Sequence, residues 1–280
     1  EFSRSFIQKL IKEEKILVDG KGVKSNFKLK SDMNITIFVE NVVEPDIVPE
    51  NIPLDIIYED EDVILINKPK GMVVHPAAGH YSGTLVNALM YHCKDNLSGI
   101  NGVLRPGIVH RIDMNTTGVI VACKNDKAHQ SLSEQLKVHS ITRKYVAIVH
   151  GNIKEDELTI SGTIGRSLSD RKKMAMNVRN GKPATTHVKV LERFGQYTYI
   201  ECQLETGRTH QIRVHLSSIN HPLVGDDVYG RKKEEFKLQG QTLHAKVLGI
   251  IHPRTGEYME FEAELPDYLK KLLDKLRNRV

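Results

Sequence analysis

Pro106-Gly107-Ile108-Val109-His110-Arg111-Ile112-Asp113-Met114-Asn115-Thr116-Thr117-Gly118 runs directly into Val119-Ile120-Val121-Ala122. The second piece is short, apolar and rich in β-branched residues, so it reads as a buried strand. The first is then a loop that delivers an acid, two bases and two hydroxyls to the start of that strand. Polar groups fixed in this way on a loop often form a site. Asp113 and the threonines equally suit a hydrogen-bonded turn, and composition does not choose between the two.

Outward from this loop, Val63 to Ile66 is a second apolar run, stopped by Lys68-Pro69-Lys70-Gly71, and also reads as a buried strand. Ala128, Leu132 and Leu136 recur at helical spacing between Lys127 and Val138. His187 to Phe194 and Tyr197 to Glu205 read as strands of a hairpin turning at Gly195-Gln196. After Thr206-Gly207-Arg208-Thr209, Ile212, Leu216 and Ile219 mark a helix that ends before Pro222. Pro266 opens a C-terminal helix carrying Leu269, Leu272, Leu273 and Leu276. Strands and scattered helices without βαβ repetition predict an α+β fold rather than a doubly wound parallel sheet.

The first residues form a separate module. Ser3 to Glu14 places Phe6, Ile7, Leu10 and Ile11 at helical spacing, and strands are expected at 16–18 and 35–39. From Glu1 to Val39 there are 8 Lys/Arg against 5 acids, whereas Glu40 to Asp62 holds 9 acids and neither Lys nor Arg. With Pro45, Pro49 and Pro53 in that acidic stretch, we expect a module over 1–43, a semi-extended linker over 44–55, and a main domain over 56–280.

The 280 residues carry a formal charge of only +5, but the basic groups are gathered. Thr163 to Lys182 holds six of them, including Arg171, Lys172 and Lys173, against Asp170 alone. Such patches are the usual footprint of a phosphate backbone, and also of a solvated loop. No stretch approaches the roughly 18 apolar residues of a membrane span, and the start has no signal-peptide core, so a cytoplasmic location is expected. Cys93, Cys123 and Cys202 lack disulfide or metal spacing. GxGxxG, GxxxxGK[ST], HExxH and GxSxG are all absent. No cofactor and no metal are expected.

The segment His110 to Gly118 closely resembles the HRLDxxTSG segment of the RluA-type pseudouridine synthases. Further segments match that family in the same order: Asn67 to Met72 with Val74-His75-Pro76, Gly83 to Leu89, Arg143-Lys144-Tyr145, Gly207 to Leu216, and Leu243-His244-Ala245 with His252-Pro253. The departures are Ile112, Asn115 and Thr117, none of them a reacting group. The N-terminal module resembles an S4 RNA-binding domain, entered downstream of its usual start, so a truncated module is expected. The pairing is similar to large-subunit synthases of the D type, which act on 23S rRNA.

The resemblance implies a pseudouridine synthase fold with a mixed, mainly antiparallel central sheet beside an RNA-binding cleft. It also implies an isomerase acting on 23S rRNA or a large-subunit precursor, as a monomer. Breaking the N1–C1′ bond, turning the uracil and joining C5 to C1′ requires no redox partner, and a carboxylate serves as nucleophile or base in such chemistry. By resemblance Asp113 is that carboxylate, Arg213 its partner cation and Tyr145 the ring that stacks on the base. Attack at C6, attack at C1′ and removal of a sugar proton all remain open at this point. Arg111, His110, Lys144, Arg208, His210, Arg171, Lys172 and Lys173 are candidates for RNA contact around an extruded uridine. A non-catalytic rRNA-binding factor would have no need of Asp113, Tyr145 and Arg213 together. A hydrolase would want a second carboxylate, and the matching segments supply none.

Overall fold

The computed structural model describes residues 4–38, 47–77, 79–94, 96–100, 102, 105–170 and 173–279. The chain divides into two compact units, Glu1–Pro45 and Asp46–Val280. In the first, helix α1 (Arg4–Lys12) is followed by strands β1 (Ile16–Val18), β2 (Lys21–Gly22) and β3 (Ile35–Ile37), which form an antiparallel sheet ordered β2-β1-β3. Its small core holds Leu10, Ile16 and Val18, while Ile35 and Ile37 on the edge strand stay exposed. Position 39, the expected end of that strand, lies outside the described residues, as do 39–46 of the acidic stretch.

The second unit is built on one ten-stranded sheet. In chain order its elements are β4 (Ile56–Glu59), β5 (Val63–Lys68), α2 (Leu85–Cys93), β6 (Thr117–Cys123), α3 (Asp126–Lys137), β7 (Thr142–His150), β8 (Glu157–Arg166), β9 (Met174–Met176), β10 (Lys182–Arg193), β11 (Tyr197–Leu204), α4 (Gln211–Ser218), β12 (Leu243–Ile251), β13 (Tyr258–Glu262) and α5 (Asp267–Arg277). The strands run β4-β5-β6-β12-β7-β11-β10-β8-β9, with β13 beside β12. The β6–β12 pair is parallel and the other pairs are antiparallel, which gives the mixed, mainly antiparallel sheet of an α+β fold.

The apolar runs are strands because both faces of the sheet are covered. Ile64, Ile66, Ile120 and Ala122 pack under Leu85 and Leu89 of α2, whereas Val63, Leu65, Val119 and Val121 pack on Ala128 and Leu132 of α3. Further along, Val146 and Ile148 meet the leucines of α5, while Ala147, Val149 and Ile200 meet Ile212 and Leu216 of α4. Helix ends follow local chemistry: Thr84 and Asn87 form a capping box on α2, and Asn125 accepts the Ala128 amide on α3.

From Ile47 onward the segment read as a linker over 44–55 is part of the second unit. Ile47 joins the α2 cluster, Glu50 N–H donates to Asn87 O at 2.9 Å, and Glu50 Oε1 accepts from Gly83 N at 2.9 Å. Its prolines and acids gave the composition of a spacer, but one buried isoleucine and these bonds are enough to dock it.

Candidate active site

Asp113 sits on the loop before β6, and that loop is held from several sides. Thr116 N–H donates to Asp113 O at 3.0 Å, and Gln241 Nε2 donates to Thr116 Oγ1 at 3.1 Å. Lys68, fully buried at the end of β5, gives its three ammonium protons to the carbonyls of Pro69, Met72 and Met114 at 2.7, 2.9 and 3.0 Å. Burial draws this ammonium down to about 7, and the charge of Asp113 opposes that shift. At Gly118 φ is +108°, and a Cβ there would run into the carbonyl of Ala245, so only glycine lets β6 lie against β12 at the loop's exit.

Arg213 approaches from the first turn of α4. Its Nη1 donates to Asp113 Oδ2 at 3.0 Å. From behind, Nε and Nη2 donate to Asp226 Oδ2 and Oδ1 at 2.7 and 2.9 Å, a bidentate pair. Asp226 Oδ1 also accepts the amides of Val228 and Tyr229, each at 2.9 Å. Burial pushes the Asp226 carboxyl up, but Arg213 and these amides hold it below the usual carboxylate range. Burial likewise opposes the guanidinium's charge, and the two aspartates outweigh it, so Arg213 titrates above an ordinary arginine.

The turn leading into α4 is tied down by Gln211. Its Oε1 accepts from Thr206 Oγ1 at 2.8 Å and from Arg208 N at 3.0 Å, while its Nε2 donates to Thr185 O and Thr186 Oγ1, both at 3.0 Å. A side chain at Gly207 would place its Cβ 2.6 Å from Arg143 Nη1, so the glycine lets the buried Arg143 pass beneath the turn.

Asp113, Arg213, Tyr145, Arg111, Arg208 and His210 line one cavity of about 360 Å³. A second, of about 980 Å³, shares Asp113, Tyr145, Arg111, Arg208 and His210 and adds His110, Arg143 and His139. Tyr145 lies where three apolar clusters meet, one of them shared by β5, β6 and α3 and another by β7, β11 and α4. Burial raises its hydroxyl pKa, Arg143 opposes and Asp113 reinforces, so the phenol keeps its proton at neutral pH.

The expected RNA-contacting residues divide. Arg111, Arg208 and His210 are at the cavity. His110 lines the larger cavity, but its Nε2 accepts the Val121 amide at 3.1 Å, which commits the ring to bracing β6; burial holds it at about 4, with Arg143 reinforcing. Lys144 lines neither cavity: strand alternation sends Arg143 and Tyr145 to one face and Lys144 to the other. Lys173 is in the turn between β8 and β9, one residue from Met174, whose amide donates to Tyr229 Oη at 2.7 Å. Arg171 and Lys172 lie outside the described residues.

Three residues carry weight here that sequence reading left aside: Asp226, Tyr229 and Lys68. Asp226 answers the question of a second carboxylate. Its side chain has no exposure and both oxygens are occupied, so it steadies Arg213 and is closed to proton exchange with a substrate. Among the described residues, one group brings metal-ligating atoms together, Asp60, Asp62 and His252. It is knit by its own bonds: His252 Nε2 to Asp60 Oδ2 at 2.7 Å, and Arg254 Nε and Nη2 to the two oxygens of Asp62 at 2.6 and 3.0 Å.

The family model "RNA pseudouridylate synthase" matches residues 62–218. An uncharacterized RNA pseudouridine synthase of Bacillus subtilis, YlyB, is 53% identical over 277 residues, 99% of this chain and 90% of its own. The ribosomal large subunit pseudouridine synthase D of Zymomonas mobilis is 50% identical over 236 residues, 81% of this chain and 74% of its own. Among solved structures, the human RNA pseudouridylate synthase domain containing 1 superposes with a TM-score of 0.60 at 27% identity, over 80% of this chain and 95% of its own. The chain therefore belongs to the RluA-type RNA pseudouridine synthases, isomerases that turn uridine in RNA into pseudouridine.

Proposed function

We propose that the chain isomerises uridines of large-subunit (23S) rRNA, with Asp113 as the reacting carboxylate. The observation that carries this reading is the asymmetry of that carboxylate: Arg213 binds Oδ2 at 3.0 Å, and among the described residues the charged or imidazole group near Oδ1 is His210, at 3.8 Å. One oxygen is anchored and charge-balanced; the other is left to react. Tyr145 supplies a flat ring for the extruded uracil and a protonated phenol on the same cavity wall. Extrusion costs a few kcal/mol of stacking, and phosphate contacts from Arg111, Arg208 and the basic turn at Lys173 offset it. The N-terminal unit, with its cationic sequence, serves as an S4-like module that holds a neighbouring RNA helix. Relatives named for the large ribosomal subunit support the choice of substrate.

Carbodiimide treatment and primer extension on unmodified 23S rRNA test this, with the chain or its Asp113→Asn variant added. New stops with the parent chain and none with the variant are expected. Stops with both, or stops on other RNAs only, contradict the assignment.

A further inference from the structure

His210 has an unusual station. It is the residue before α4, in the left-handed region at φ 56°, and its side chain makes no capping bond to the helix. That conformation is disfavoured for a side chain with a Cβ. It turns the imidazole toward the cavity, where Nε2 lies 3.8 Å from Asp113 Oδ1, beyond hydrogen-bond reach. His210 and Asp113 thus face the same cavity side by side, close enough for one substrate atom seated there to touch both.

The other ring nitrogen is 2.9 Å from Tyr229 Oη. Tyr229 Oη accepts the amide hydrogen of Met174 at 2.7 Å and has one proton of its own to give, with His210 Nδ1 within reach. With that proton given to Nδ1, the single imidazole proton sits on Nε2, facing Asp113 Oδ1. The Tyr229 ring also packs edge-on to His210 with centroids 5.6 Å apart, and the Arg213 guanidinium lies 5.1 Å above it, so one tyrosine sets the position of both groups beside Asp113. Burial lowers the imidazole pKa and Arg213 and Arg111 push the same way; Asp113 and Asp226 oppose, and the ring stays neutral.

We propose that His210 is a further catalytic residue: its Nε2–H donates a hydrogen bond to an oxygen of the extruded uridine beside Asp113 Oδ1, and Tyr229 is the positioning residue that fixes the tautomer making this donation. A neutral donor suits an oxygen that gains negative charge as the N1–C1′ bond breaks, which is the uracil O2 next to N1. It also suits the ribose 2′-hydroxyl, carried on the carbon next to C1′. No atom is transferred by His210. It stabilises charge and holds the nucleotide while Asp113 reacts.

This inference rests on Asp113 being the reacting group, and the test separates the two. In protein labelled with ¹⁵N-histidine, the His210 signals are expected to report Nε2–H with unprotonated Nδ1, and to become a tautomer mixture in Tyr229→Phe. That readout needs no activity. In single-turnover assays on the target RNA, His210→Ala is expected to slow isomerisation about 100-fold and Tyr229→Phe about tenfold, with RNA affinity unchanged. His210→Gln, which keeps an N–H donor, is expected to recover part of the loss, and a purely structural histidine would not be rescued in this way. A target carrying 2-thiouridine or 2′-deoxyuridine then identifies the accepting oxygen as the one whose replacement erases the penalty of His210→Ala. An Nδ1–H tautomer in the parent protein, or rates within about twofold of the parent in both His210→Ala and Tyr229→Phe, overturns the proposal.

Discussion

Arg213 is shared between two carboxylates, with Nη1 on Asp113 at 3.0 Å and Nε on Asp226 at 2.7 Å. The two contacts do different work. Asp226 takes the side of the guanidinium facing the protein and is itself held by two backbone amides, so the arginine cannot swing. Asp113 receives one donor from a group whose direction is already set, and this pre-organisation is what a reacting carboxylate needs in order to stay charged without moving.

Asp226→Asn is therefore expected to slow single-turnover isomerisation at least about tenfold while RNA affinity is kept. Removing one charge from a buried pair also destabilises by about 3 kcal/mol, readable as a drop in the urea midpoint. Parent-like rate and stability together would show that Asp226 is a bystander.

Lys68→Met keeps most of the apolar stem but leaves the carbonyls of Pro69, Met72 and Met114 without their donor. The loop of Asp113 loses an anchor one residue away from the reacting group. We expect a loss of at least about 2 kcal/mol of stability from the unsatisfied buried acceptors, and a fall in turnover larger than that in RNA affinity. A variant with parent-like stability and rate would contradict this.

Tyr145→Phe separates ring from hydroxyl. The ring fills the junction of three apolar clusters, so Tyr145→Phe should unfold like the parent, whereas Tyr145→Ala should cost about 3 kcal/mol or more. With the ring kept, RNA affinity should hold while isomerisation falls. An undiminished rate in Tyr145→Phe would confine Tyr145 to stacking.

The folded chain carries several histidines that burial keeps neutral. His75, His215 and His244 are each drawn to about 4 by desolvation, with nearby arginines adding to the effect at His75 and Lys246 at His244, where the bond to Ala263 opposes it. The unfolded chain takes up protons on these rings below about pH 6.5, and the folded chain does not until about pH 4. Their folded-state values are depressed, so their contribution is whole above pH 6.5 and is lost as pH falls toward 4. Each removes on the order of 1 kcal/mol per pH unit in that window. Asp60, Asp62 and Asp226, with carboxyls held below their ordinary value, add their losses at still lower pH. Urea unfolding at pH 7 and pH 5 should give clearly lower stability at pH 5, and equal values would contradict the neutral assignment.

Much of this is legible in the sequence, for physical reasons that differ from element to element. Val63 to Ile66 and Val119 to Ala122 announce buried strands because both faces of those strands are covered, and Pro266 and the leucine spacing announce α5. Asp113, Tyr145 and Arg213 stood out through the motif resemblance, and the fold gathers all three on one cavity. Asp226 was invisible because its role depends on a side chain 13 residues away, and nothing local marks an acid that will be buried against an arginine. Lys144 sits next to Tyr145 in sequence, yet strand alternation carries it to the other face. His110 lies within the motif, yet its ring nitrogen is used up by the Val121 amide. The stretch over 47–55 has the composition of a spacer and is docked by Ile47, a contact that composition averages away.

The measurement that tests the central claim most directly is release of tritium from C5 of uridine in [5-³H]uridine-labelled 23S rRNA under single-turnover conditions, comparing the parent chain with Asp113→Asn. The new bond to C5 expels that hydrogen, so the parent chain should release the label of its target uridines to completion, and the variant should release none while binding the RNA equally well. Release by Asp113→Asn at the parent rate would show that another group performs the reaction.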